Sequence, residues 1–402
     1  MKIIQAKFIY INGEYKQNLA VAFDKTIKDI DSFENLQKRY DEYELLDYSG
    51  NYVLYPGFIN MHTHLEFSAN RATLEFGDFI KWLYSVIENR DMLVSKLDSK
   101  TLKDATKEML KSGITTFGAI SSFGADLQVC AKTPQRVIYF NEVIGSNPAM
   151  VDALFSDFKQ RLEASKEYAS STFYPAIAIH SPYSVHPILL REVLKIAKEQ
   201  NMLTTAHFLE SPAEREWLES SSGDFLQFFS DFFGTKSAVT TINEFLDSFK
   251  KPTLFTHATQ ATSPELSKIN QNNHSIIHCP RSNRVLNCGK LDIKEVKNLL
   301  IGTDGLSSNY SLNILDELRS ALFMHTDIEP KKLAYNLIEA ITTNASNATN
   351  LKIGKIQKDY FADFALYKLP DDLKHTDKGS LALHTILNCK YASKVFIGGE
   401  IY

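Results

Sequence analysis

The chain has 402 residues, enough to bury a large core in one domain or two. Its 44% hydrophobic and 23% charged make-up is that of ordinary globular protein and excludes disordered and collagen-like classes. A net charge of −4 argues against nucleic acid, which wants a basic stripe, and no polybasic block or apolar run of about 18 residues offers itself to a membrane.

Residues 1–56 read as β-rich. Residues 8–15 form a strand running into an Asn12-Gly13 hairpin turn, with 19–23 as its partner, and the polar stretch 30–43 has helical spacing. The N-terminus enters strand-like alternation directly, without an apolar signal segment, and Cys130, Cys279, Cys288 and Cys389 show no paired spacing. The expectation is a cytoplasmic protein with reduced thiols.

From residue 53 onward, apolar strands alternate with amphipathic helices. Strands are expected over 53–59, 114–119, 136–140, 174–179, 202–206, 252–256, 275–277 and 299–302, with helices over 102–111, 150–168 and 187–200 between them. Eight strands, most followed by a helix, predict an α/β fold, a (β/α)8 TIM-like barrel over residues 57–354. The connection 208–251 is long and carries a Phe-rich run from Phe225 to Phe233. It reads as extra helices near the barrel mouth, either shaping specificity or serving as plain core. Strands over 362–367 and 395–401, the second interrupted by a turn, make the tail β-like. Residues 1–56 and 355–402 are therefore expected to pair into a small composite β-sandwich domain.

The chemistry gathers at the strand ends. In extended backbone, side chains two apart point the same way, so His62 and His64 can grip one cation. Later strand ends add His180, His207, His257, His278 and Asp304, so six of the eleven histidines fall on the rim that carries catalysis in such a barrel. Three neutral imidazoles and a carboxylate suit one divalent ion, Zn²⁺ or Fe²⁺, and the expected set is His62, His64, His207 and Asp304. Such an ion lowers the pKa of the water it polarises toward ~7. Glu210, three residues after His207, is placed to reach past the ion to a substrate, and His257 is read as the group that orients water and shuttles its proton. The plainer alternatives are a solvated loop glutamate and a core histidine.

Taken together, Pro56-Gly57-Phe58-Ile59-Asn60-Met61-His62-Thr63-His64, His207-x-x-Glu210, His257, His278-Cys279-Pro280-x-Ser282-Asn283 and Thr303-Asp304-Gly305 resemble the amidohydrolase superfamily. The resemblance spans nearly the whole chain, in the family's order. It is closer to the mononuclear nucleoside deaminase branch, which includes the methylthioadenosine/S-adenosylhomocysteine deaminases. Binuclear relatives carry a bridging lysine after the fourth strand, where this chain has Ile179-His180-Ser181-Pro182-Tyr183. Within the branch, the short loop 76–90 looks most like the 6-aminodeoxyfutalosine deaminases of the futalosine route to menaquinone. The His-Ala-Gly-Glu segment of the usual adenosine deaminases is absent.

The resemblance implies hydrolytic deamination of an adenine nucleoside. Glu210 would protonate the ring nitrogen beside the attacked carbon, while His257 and Asp304 handle the water's protons. His180 resembles the branch's substrate-contacting histidine, and Trp82 an aromatic that contacts the nucleoside. Glu88 matches, across a gap, an acidic residue that binds ribose hydroxyls; a solvated helix glutamate is the equal alternative. Asn283 and Arg281, beside His278, are candidates to contact the base or a substrate carboxylate, with loop stabilisation as the alternative for Arg281. The expected partner is a small-molecule nucleoside, and a homodimer is a candidate assembly. Competing readings are a sister deaminase for methylthioadenosine, S-adenosylhomocysteine or adenosine, a triazine or cyclic-amide hydrolase on the same site, and a metal-free scaffold.

Overall fold

Gly57 divides what the sequence presents as one apolar strand. In the computed structural model, which describes residues 1–402, the stretch 53–59 belongs to two strands. Glu44–Pro56 lies in a mixed sheet, and β1 (Phe58–Thr63) opens the barrel. The Thr115 side chain leaves no room for one at this junction, because a Cβ on Gly57 would sit 2.0 Å from Oγ1 of Thr115. Gly57→Ala is therefore expected to cost about 1–3 kcal/mol as an overpacked site. The thermal midpoint should fall by several degrees, and an unchanged midpoint in calorimetry would remove this steric account.

The barrel continues with β2 (Ile114–Ser121), β3 (Arg136–Val143), β4 (Phe173–Ile179), β5 (Thr204–Phe208), β6 (Leu254–His257), β7 (Ser275–His278) and β8 (Leu299–Ile301). They neighbour one another in that order, and the pairs from β3 to β8 are parallel. The ring nears closure where the Asp304 N–H donates to the His62 carbonyl at 3.0 Å. Strands buried on both faces read as continuous apolar runs, which is why their positions are legible in the sequence. Several limits move by one to three residues: β5 and β6 start at Thr204 and Leu254 rather than 202 and 252, and β3 runs on to Val143, which puts Glu142 on the rim.

Four helices matter for the site. They are α1 (Phe79–Ser95), α2 (Pro212–Ser220), α3 (Asp224–Phe233) and α4 (Pro280–Val285). α2, α3 and a third helix, Ile242–Ser248, fill the long connection after β5 as expected. Aromatic contacts tie α1 to α3: the rings of Tyr84 and Phe228 lie 5.3 Å apart, those of Phe79 and Phe225 6.2 Å.

The strands of the two termini form a separate mixed sheet. Its order runs 400–401, 394–397, 364–368, 44–56, 2–11, 20–23 and 27–31, with 14–16 joined to 2–11 by the Asn12-Gly13 turn. Phe23 and Phe396 stand four strands apart, about 19 Å on a flat sheet, yet their rings lie 6.0 Å apart. The sheet thus rolls over its own apolar face, around Ile4, Val21, Leu54 and Phe364. The helix expected over 30–43 is shorter, Phe33–Arg39, because Ile27–Asp31 pairs with Ala20–Phe23 as a strand.

By internal contacts the chain falls into two units, residues 1–60, 106–117 and 313–402 in one and 61–105 and 118–312 in the other. No helix is long and apolar enough to cross a membrane. All four cysteines are free and buried.

Candidate active site

β1 ends in His62 and His64, β5 carries His207, and Asp304 follows β8. The Nε2 atoms of His64 and His207 lie 3.3 Å apart, and Oδ1 of Asp304 is 3.6 Å from Nε2 of both His62 and His64. Tetrahedral ligands at bonds of about 2.0–2.1 Å stand roughly 3.3 Å from one another, so this set fits a Zn²⁺-sized ion. The surroundings fix its orientation. Nδ1 of His207 donates to the His180 carbonyl at 2.7 Å, leaving Nε2 as the free lone pair. Oδ2 of Asp304 accepts from the Ser282 and Ser308 hydroxyls at 2.7 and 3.0 Å, and Oδ1 accepts from the Gly305 N–H at 2.8 Å.

Burial sets the protonation states. It drives His64 down to about 3 and holds His207 well below the ordinary imidazole value, so both are neutral ligands at neutral pH. Burial works against the Asp304 carboxylate, but the hydrogen bond and charge of His62, with His64 and His257, hold it well below the usual range.

Glu210 and His257 face this set. Nε2 of His257 is 3.5 Å from Oε1 of Glu210 and 4.0 Å from Oδ2 of Asp304. Burial, then the charges of Asp304 and Glu214, push the Glu210 carboxyl well above its ordinary value, which favours its protonated form. Burial likewise lowers His257 to about 4. Asn283, on α4, takes a different place from the expected substrate contact. Its Oδ1 accepts from Nδ1 of His257 at 2.8 Å, so the other nitrogen of that ring faces Glu210 as an acceptor.

The turns that deliver these groups are strained. Leu209, His257, Ala258 and Asp304 have φ of 46°, 72°, 50° and 56°. Such values in residues other than glycine persist where the surroundings over-determine them, typically at functional sites. Glu214 supplies part of that support: its carboxylate accepts the N–H groups of Leu209 and Glu210 at 3.1 and 2.7 Å.

A cavity of about 340 Å³ opens over this floor. Its lining includes His64, His207, Glu210, His257 and Asp304, together with the expected His180 and Trp82. Nε1 of Trp82 donates to the Ser307 carbonyl at 2.8 Å, which fixes the indole at the wall. Phe228, Phe229 and Phe233 of α3 line the same wall, whereas Phe225 packs beneath it on Tyr183 with ring centres 4.7 Å apart. The Phe-rich run is thus both wall and core. Arg90 is the one arginine or lysine on the lining.

Two expected contacts are not brought to the site. Glu88 lies on the exposed face of α1, off the lining. Arg281 is buried behind it, donating to the Ser311 carbonyl at 2.9 Å and stacking 4.9 Å from the Tyr310 ring centre.

Sequence reasoning missed Glu142, Ser122, Glu66 and Glu214. Glu66 is buried and accepts the N–H groups of Ser122 and Ala125 at 2.7 and 2.8 Å, pinning the loop that carries Ser122 and Phe123 into the cavity wall. The signal for Glu142 was present: it ends β3, and the rim reading that found the histidines applies to it equally.

The residues 53–402 match the model of the amidohydrolase family. The chain belongs to that family and is one of its enzymes, with a buried His/Asp metal-binding cluster. It is 45% identical to the aminodeoxyfutalosine deaminase of Nitratiruptor sp., over 100% of this chain and 99% of that protein. It is 32% identical to an adenosine deaminase of Helicobacter pylori, over 99% of each chain. Among solved structures, the Helicobacter pylori aminofutalosine deaminase in complex with methylthio-coformycin superposes with a TM-score of 0.93, at 31% identity, covering 100% of both chains.

Proposed function

We propose that the protein hydrolytically deaminates an adenine nucleoside, and that its substrate is 6-amino-6-deoxyfutalosine, converted to futalosine and ammonia in menaquinone biosynthesis. The observation that carries the deaminase reading is a buried Glu210, 3.5 Å from Nε2 of His257 beside a His/Asp metal set, whose carboxyl burial pushes well above its ordinary value. His62, His64, His207 and Asp304 would hold one divalent ion, Zn²⁺ or Fe²⁺. Bound there, the ion supplies the Lewis acidity that makes water nucleophilic at neutral pH.

The chain's own groups do the proton work. Glu210 donates to the ring nitrogen next to the amino-bearing carbon, which makes that carbon electrophilic. His257, with its acceptor nitrogen aimed inward by Asn283, takes a proton from the attacking water. Asp304 borders the same space; the proton His257 takes passes to the amine as the C–N bond breaks, and the water's second proton returns to Glu210 as the carbonyl forms.

The finer assignment rests on the 45% identical relative and on the chemistry of the outer cavity. There an aromatic wall (Phe123, Tyr183, Phe228, Phe229 and Phe233) meets a single guanidinium, Arg90, a combination suited to an aryl carboxylate. The test is kcat/KM for ammonia release from aminodeoxyfutalosine, methylthioadenosine, S-adenosylhomocysteine and adenosine. Aminodeoxyfutalosine should lead the panel, and a lead for any other member would reassign the substrate.

A further inference from the structure

Glu142 is a carboxylate with unfinished hydrogen bonding at the wall of the cavity. It is 1% exposed, at the end of β3. Its Oε2 accepts from the Ser122 hydroxyl at 2.5 Å, while its Oε1 is buried with no hydrogen-bond partner. A buried, unsatisfied carboxylate oxygen costs a folded protein several kcal/mol unless something completes it. Both Glu142 and Ser122 line the cavity.

One competing role is support of a metal-binding histidine, since Oε1 lies 3.8 Å from Nδ1 of His207. That nitrogen already donates to the His180 carbonyl at 2.7 Å, so it has no second proton to give. What Glu142 can accept is a hydroxyl or an amine.

The lining sorts by chemistry. The floor of imidazoles and carboxylates serves the reacting carbon, and the aromatic wall with Arg90 suits an apolar, anionic end group. Between these functions a nucleoside has one remaining part, the sugar, which carries two adjacent hydroxyls. Ser122 directly follows β2 and Glu142 lies one residue from the end of β3, whereas Glu210 follows β5 and His257 ends β6 on the other side of the ring.

We infer that Glu142 and Ser122 are the sugar-binding pair of this enzyme, with Oε1 of Glu142 accepting one ribose hydroxyl and Oγ of Ser122 accepting its neighbour. This inference rests on the nucleoside reading above. It gives the role expected of Glu88 to a residue on a different strand.

The test compares kcat/KM for adenosine, 2′-deoxyadenosine and 3′-deoxyadenosine in the metal-loaded wild type, Glu142→Gln and Ser122→Ala. Wild type should favour adenosine over at least one deoxy analogue by about 100-fold, the worth of a hydrogen bond to a charged group. In Glu142→Gln that preference should collapse to within about threefold, through loss on adenosine alone. Ser122→Ala should move the same way by a smaller factor, and it keeps the test open should the glutamine variant fold poorly. Metal content should match wild type in both.

Equal losses on all three nucleosides, or loss of metal from Glu142→Gln, would instead make Glu142 a support for His207 and overturn the assignment. Ammonia release from none of the three, nor from aminodeoxyfutalosine, by the wild type would fail the nucleoside reading itself, a result separate from an unaltered preference in the variants.

Discussion

Glu210→Gln is expected to lower kcat by about 10²–10⁴-fold while metal content and thermal midpoint stay at their wild-type values. Glutamine preserves the shape of a side chain that is 6% exposed and leaves the backbone N–H bond to Glu214 in place. What it removes is the acidic proton that burial favours on this carboxyl. A carboxylate beside a metal is ordinarily held ionised by the ion's charge. Against that pull, burial first and then the charges of Asp304 and Glu214 push the Glu210 carboxyl upward, and its nearest partner, His257, is neutral. Loss of turnover with retained metal separates proton donation from ion binding. A variant with near-wild-type turnover would show that another group is the acid.

Asp304→Asn should have the second large effect, abolishing turnover and leaving the divalent ion substoichiometric after dialysis. The aspartate is the only anionic member of the set, and its two oxygens have different duties. Oδ1 faces His62 and His64, and Oδ2 is fixed by Ser282 and Ser308. An asparagine must present an N–H₂ group either to the ion, where it cannot ligate, or to the side fixed by the two serines. Three neutral imidazoles alone hold a divalent cation less tightly, and His257 loses the Asp304 carboxylate 4.0 Å from its Nε2. Elemental analysis and kcat should fall together; full metal with full activity would remove Asp304 from both roles.

The barrel was legible because its strands are buried on both faces, so each is an apolar run between turn signals. The rim histidines were legible for a related reason: β5, β6 and β7 each carry a histidine at the strand's end, where a fixed period places it on the rim. The pivot at Gly57 was not, since Tyr52 to Ile59 is apolar on either side and only the close approach of Thr115 reveals the break. Glu142 was passed over because its strand looks complete at Phe140 when judged by hydrophobicity, although the rim reading applied to the histidines would have reached it once the strand was carried to Val143. Asn283 was visible as a residue but not as the partner of His257, because the 2.8 Å bond joins α4 to the end of β6 across 26 residues. Glu88 had the right residue type, yet helical geometry turns it outward on α1.

The central claim is metal-dependent deamination of an adenine nucleoside, and the direct measurement is ammonia release with loss of the adenine absorbance from aminodeoxyfutalosine. It should be made on the metal-loaded protein, then after chelation and after return of Zn²⁺ or Fe²⁺. Turnover that disappears with the ion and returns with it is the predicted result. No ammonia from this nucleoside, nor from methylthioadenosine, S-adenosylhomocysteine or adenosine, at full metal loading would contradict the account.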